Sequence, residues 1–484
     1  MNDEIQRADL YRIVMNAVID GLEKVREVQD SGKYIGRYYR FPKLEQFSSG
    51  LPHFCRPFDS GPFKFSDIFG DTERSQVRWD SIPSWREFCD FAKADKHLAN
   101  YFAIAEPSLE YPHIPDWSDW NIKYYTYGVL AQIVDRFVHV TGGTQFDEEK
   151  FRHVYAEWEA SIALQNLPFA ICVPILCVKF DSEIEKLDEA TSVEKMTESF
   201  QLARNVQHDF KTSVHECVIG AATHSLVLSG WSVENKTRKK TEESLNEFNS
   251  FQAAIFNIDC FFAALRAVLG IETGYSQLVA RPRGWGHSWE AFLPRVNVVT
   301  TRAYPDHFDE YGWLREPPSI SASQMKTVAD VYRTLVESKS NSMAIAARRL
   351  NTAHLRKDKE DSILDITIAL EALLGDSAKT EMTHKLAMRM AALTSIEPCS
   401  EGDPGEIFRY MKKIYEYRSA VVHGSKKSET KRTIANKHKV EIPTVALGVK
   451  LLRHSILALA RHQKYLDPEK LDNYLITQGK TSGD

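Results

Sequence analysis

Apolar residues recur at three- and four-residue steps in several stretches of this chain. The clearest stripe runs through Ile407, Phe408, Met411, Ile414, Tyr415, Arg418 and Val422. That spacing predicts an amphipathic helix with one buried face. Gly424 should stop it, because glycine accepts the left-handed conformation that ends helices. Similar stripes predict helices over 4–28, 122–139, 147–164, 243–269, 321–350, 361–375, 381–393 and 444–464. Between 32 and 120 the chain is rich in Phe, Tyr, Trp and Pro without a clean period, which predicts irregular structure with short strands and one or two helices.

Longer strands are expected in the middle. Ala170–Lys179 is an apolar run whose Pro174 marks a bulge or an edge. His224–Val233 and Val296–Arg302 predict further strands, and Gln277–Arg283 leads into Gly284-Trp285-Gly286. The expected fold class is therefore α+β, mostly α-helical, with a mixed α/β middle region and a C-terminal helical bundle. Three regions are expected, over 1–165, 166–320 and 321–475, with Pro317-Pro318 as the last linker.

Composition narrows the picture a little. Hydrophobic residues make up 43% and charged residues 26%, which is ordinary for a globular protein. The longest apolar run, Phe169–Val178, falls well short of the roughly 20 residues that span a bilayer. Asp3 and Glu4 stand where a secretory leader would be apolar, so a cytoplasmic protein without a membrane partner is expected. The seven cysteines include no Cys-x-x-Cys pair, and Cys172 and Cys177 are expected to be buried thiols. A net charge of −5 argues against polyanion binding over the whole surface. Locally, Lys426, Lys427, Lys431, Arg432, Lys437 and Lys439 oppose only Glu429, and Lys426, Lys427, Lys431 and Arg432 are candidate RNA-phosphate contacts.

Candidate chemistry lies just before that basic loop, in Tyr417-Arg418-Ser419-Ala420-Val421-Val422-His423-Gly424. A histidine can take a proton from a 2′-hydroxyl or give one to a leaving 5′-oxygen, typically worth about 10²–10⁴-fold in rate. A guanidinium can clamp the charged phosphoryl oxygens of the transition state. Arg418 and His423 lie roughly 140° apart at about 100° per residue, so two facing helices in a dimer would serve one phosphate better than one. As a bare pattern, Arg followed by His after four to six residues is weak, since Arg281/His287, Arg302/His307, Arg349/His354 and Arg432/His438 also show it. The plainer reading makes Arg418 a salt-bridged arginine at the core edge and His423 a helix cap. Glu371, on a helix expected to be buried, should seek Arg418 or Arg389. Tyr415 is expected in the core, whereas Tyr417 is a candidate for stacking on a base. A metal-dependent alternative would use His113, Asp116 and Asp119, which solvated surface positions explain more simply.

The order Ile368-Ala-Leu-Glu371-Ala-Leu-Leu-Gly375, then His384-Lys-Leu-Ala-Met-Arg389-Met-Ala-Ala-Leu393, then the Arg418–His423 motif resembles the Apea-like branch of the HEPN superfamily. Ala346-Ala-Arg-Arg-Leu-Asn351 fits as well, and the resemblance covers about residues 325–470. It implies a helical bundle that dimerises through the motif helix. The activity it implies is metal-independent endoribonuclease, leaving 2′,3′-cyclic phosphate and 5′-hydroxyl ends, as in antiphage abortive infection. By position, Arg418 and His423 would be catalytic, with Glu371, Ser419 and Tyr417 in support. No cofactor is expected. The implied partners are an RNA substrate, with tRNA a candidate, a second copy of the chain, and an activator supplied by phage. Active members often carry Asn, Asp or His where this chain has Ser419. The alternative is therefore an inactive HEPN module used for dimerisation or nucleotide binding.

Overall fold

The computed structural model describes residues 5–58, 61–102, 117–207, 213–236, 238–246, 249–338, 340–376 and 381–478. The fold is α+β and mostly helical, with a mixed middle region and a helical C-terminal region. Three helices organise the N-terminal part: α1 (Ala8–Asp30), α2 (Trp117–Thr141) and α3 (Glu148–Ala163). Leu10, Val14, Ala17 and Val18 of α1 face Leu130, Val134 and Phe137 of α2 and Val154 and Trp158 of α3 in one core. Among the described residues between α1 and α2 lie four short strands and two further α-helices, Pro83–Ala94 and Lys96–Phe102. Asp135 of α2 is 2% exposed, and it pins the irregular stretch by accepting from the Tyr38 hydroxyl (2.7 Å) and the Phe65 amide (2.6 Å).

The middle region is a six-stranded sheet of β1 (Asn166–Pro174), β2 (Ile184–Lys186), β3 (Thr191–Lys195), β4 (His224–Glu234), β5 (Tyr275–Pro282) and β6 (Asn297–Ala303). Every neighbouring pair is antiparallel, in the order β6-β5-β1-β4-β3-β2. The strand expected over 170–179 starts earlier and stops at Pro174, which has no amide hydrogen for the ladder. Cys177 then adopts a left-handed φ of 55°, and the chain turns away. Cys172 and Cys177 are both buried, and burial pushes their thiols up to about 11 and about 12.

Of two long helices expected from the pattern, one is divided. The stretch 243–269 forms Arg238–Asn246 and α4 (Asn249–Leu269), with 247–248 outside the described residues. The stretch 321–350 forms α5 (Ala322–Glu337) and α6 (Asn341–Leu355). Ser338 is extended there, and Ser338, Ser340 and Asn341 are residues whose side chains compete with helical hydrogen bonding. The bundle continues with α7 (Lys359–Leu374), α8 (Met382–Ile396), α9 (Pro404–Val422), α10 (Thr444–Arg461) and α11 (Pro468–Gln478).

One hydrophobic core runs from Leu167, Ile171 and Leu228 of the sheet through Phe261 of α4 and Val328 of α5 to Leu370, Ile414 and Leu459 of the bundle. The other face of the sheet, with Ala170, Cys172, Val227 and Val279, packs on Leu51, Phe54, Phe200 and Trp313. At the Pro317-Pro318 linker, Lys179–Phe180 pairs in parallel with Ser319–Ile320, so the linker is tied to the middle region. Among the described residues one helix, Phe251–Leu269, is long and apolar enough to cross a membrane by length and composition, and 56% of that window is buried within the protein.

Candidate functional site

Helix α9 carries the motif. Asp403 caps it by accepting from the Glu406 amide at 2.9 Å, while the Glu406 carboxylate accepts from the Asp403 amide, and Pro404 fills the first turn. Ile407, Tyr410, Met411, Ile414 and Tyr415 form its buried face against the bundle. At the far end Gly424 takes a φ of 58°, and the Ser425 amide reaches back to the Ala420 carbonyl at 2.9 Å. That is the left-handed glycine stop the pattern called for. His423 is exposed at this terminus, and its amide donates to the Ser419 carbonyl at 3.1 Å. Ser419 is exposed as well.

Arg418 is half-buried, and its Nε is a buried donor without an acceptor. Among the described residues its guanidinium forms no ion pair and no hydrogen bond. The arginines of the other four Arg/His pairs are all engaged. Arg281 lies over the Phe200 ring at 4.7 Å. Arg302 binds Asp306 at 2.7 Å and Asp309 at 2.5 Å. Arg349 binds the buried Asp365 at 2.6 Å, and Arg432 binds Glu360 at 3.4 Å. His354, the partner of Arg349, is buried, and desolvation followed by the charges of Arg266, Arg453 and Lys359 pulls its pKa down to about 3. That imidazole stays neutral and structural.

The expected pairing of Glu371 does not form. Arg389 is taken by Asp472 at 2.7 Å, Asp376 at 2.7 Å and the Leu374 carbonyl at 2.8 Å, and its bonds to Asp472 first raise its pKa above the ordinary guanidinium value. Asp472 arrives from α11, an element the sequence pattern did not reveal. Glu371 itself is half-buried, with no ion pair within 4 Å among the described residues. It instead faces Tyr415, whose hydroxyl donates to the Thr367 carbonyl at 3.2 Å. Burial first, then the charge of Glu371, pushes the Tyr415 phenol up, and Arg418 acts in the opposite sense. Glu371, Tyr415 and Arg418 thus share one neighbourhood without a salt bridge.

Tyr417 is 1% exposed, which removes its ring from any base. A tyrosine one position from the stripe gave no warning of this in sequence. The basic loop is also less free than its composition suggested. Lys431 lies 3.6 Å from Glu416, Arg432 pairs with Glu360, and Lys437 lies 3.1 Å from Glu406. Glu416 and Glu406 come from α9, just before the loop, and Glu360 from α7, so counting charges within the loop missed all three. The side chains of Lys426 and Lys427 lie outside the described residues, as do His113, Asp116 and the side chain of Asp119. A cavity of about 450 Å³ opens beside the helix end, lined by Glu360, Ala420, Gly424, Ser425 and Arg432. Neither Arg418 nor His423 forms its wall.

Asn351, part of the Ala346–Asn351 stretch, is buried at the junction with the middle region. It donates to the Asp259 carbonyl at 2.8 Å and accepts from the buried Arg266, which also binds the Thr273 carbonyl at 2.6 Å. No family model, no curated protein and no solved structure matches this chain.

Proposed function

We propose that this chain is a metal-independent HEPN endoribonuclease acting as a homodimer, with tRNA or other single-stranded RNA as substrate, in antiphage defence triggered by a phage component. The observation that carries the reading is the Arg418 guanidinium. Arg281, Arg302, Arg349 and Arg432, each five or six positions before a histidine, are held by an acid or a ring, and the half-buried motif arginine is held by neither. Leaving a donor buried without an acceptor costs roughly 1–3 kcal/mol, which a ligand phosphate would recover. The exposed His423 one turn further on is accessible to a proton on RNA. In the dimer, His423 serves as general base and acid, and Arg418 holds the non-bridging oxygens as charge develops.

The inactive-module alternative draws on the ion pairs that already occupy Lys431 and Arg432. Expression of the intact protein and of His423→Ala, followed by sequencing of cellular RNA ends, separates the two. The nuclease arrests growth and leaves new 5′-hydroxyl ends that the variant does not leave. An inactive module gives identical end maps.

A further inference from the structure

Residues 33–43 hold four cations, four aromatic rings and no carboxylate. The stretch is fastened from behind, where the Tyr38 amide donates to the Pro62 carbonyl and the Lys64 amide to the Gly36 carbonyl. With Tyr38 anchored inward on Asp135, its neighbours face water: Tyr39 is 68% exposed and Phe58 67%. Tyr39 meets Phe58 at 6.1 Å between ring centres, Arg40 lies 5.0 Å over Phe58, and Arg37 lies 4.0 Å over Phe63. Among the described residues, none of Lys33, Arg37, Arg40 and Lys43 forms an ion pair. Large rings grouped in water mark a contact surface rather than chance exposure. Arg37 also donates to the Gly61 carbonyl at 2.8 Å, and rings interleaved with cations that meet no carboxylate suit a strand of stacked bases on a charged backbone.

Beside this face lies a cavity of about 450 Å³, lined by Tyr38, Lys64, Gln132, Ser288, Glu290 and Arg295. That volume lies in the range of small-ligand sites. Ser288 Oγ and Gln132 Oε1 are buried there without a partner. The wall thus offers a hydroxyl, an amide and a carboxylate, groups that read base edges, next to cations that meet phosphates.

We propose that this face binds single-stranded RNA. Tyr39, Phe58 and Phe63 stack on successive bases, Arg37 and Arg40 meet phosphates, and the cavity takes one splayed base. This deepens the nuclease reading and rests on it for the choice of RNA, but it is measured separately. Fluorescence anisotropy on full-length His423→Ala, with labelled 12-nucleotide homopolymers and a matched duplex, reads binding alone. Single strands should bind more tightly than duplex. The added changes Tyr39→Ala and Arg40→Ala should weaken single-strand binding about tenfold or more, with unaltered circular dichroism. Gln132→Leu or Ser288→Leu, whichever folds, should narrow the spread of affinities among the homopolymers. Equal affinity for duplex, or binding indifferent to Tyr39 and Arg40, overturns the proposal and leaves the rings to a protein partner. Cleavage by wild type with such indifferent binding would spare the nuclease and remove the platform. Tight, ring-dependent binding without cleavage by wild type would do the reverse.

Discussion

A half-buried guanidinium without a counter-ion sets Arg418 apart from its neighbours. If it clamps phosphate bidentately, a lysine cannot replace it. Arg418→Lys should therefore lose RNA cleavage by about 10²-fold or more, as an oxyanion donor does, with its thermal midpoint unchanged. Retained activity in a cleavage assay would reduce Arg418 to a generic positive charge. His354 behaves oppositely. Its folded pKa of about 3 lies below the roughly 6.5 of the unfolded chain. Between those values the unfolded chain binds the extra proton, so stability present above about pH 6.5 drains away as pH falls toward 3. His354→Gln should flatten the acid side of a urea-midpoint profile, and an unchanged slope would contradict the assignment. At this scale the sequence reading placed His423 at the helix end and Tyr415 in the core. It misplaced Tyr417 and Glu371, because burial one position off a stripe is decided by helices the pattern cannot orient.

The elements themselves were more legible. The apolar stripe of α9, its Gly424 stop, the strand at His224–Glu234 and the change from helix to strand near residue 165 follow from period and turn chemistry. The division after Glu337 was not legible, since the apolar period continues across it. Gly424 offers a direct test of the helix end. A Cβ there would meet nothing within 4 Å, so Gly424→Ala costs only the left-handed backbone, about 1–2 kcal/mol. Differential scanning calorimetry should show that loss, and cleavage should fall with it, because the imidazole of His423 sits on the turn being distorted. A variant with wild-type stability and activity would mean the turn does not set the histidine.

Across the whole molecule, the sheet and the bundle share one core, and Arg266 and Asn351 bind across it. Asn351→Leu strands a buried guanidinium and an amide carbonyl, and should cost about 1.5–3 kcal/mol in urea unfolding. The middle region and the bundle should lose protection together in hydrogen exchange, since neither keeps a closed core without the other. Separate transitions would contradict that continuity. Sequence could not foresee it, because Pro317-Pro318 reads as a linker whether or not the flanking cores merge. The account as a whole turns on RNA cleavage without metal. Purified wild type, Arg418→Ala and His423→Ala should be incubated with labelled RNA in excess EDTA, and the product ends mapped. The account predicts 2′,3′-cyclic phosphate and 5′-hydroxyl ends from wild type and intact RNA from both variants. Equal cleavage by all three, or cleavage only on adding a divalent ion, would contradict it.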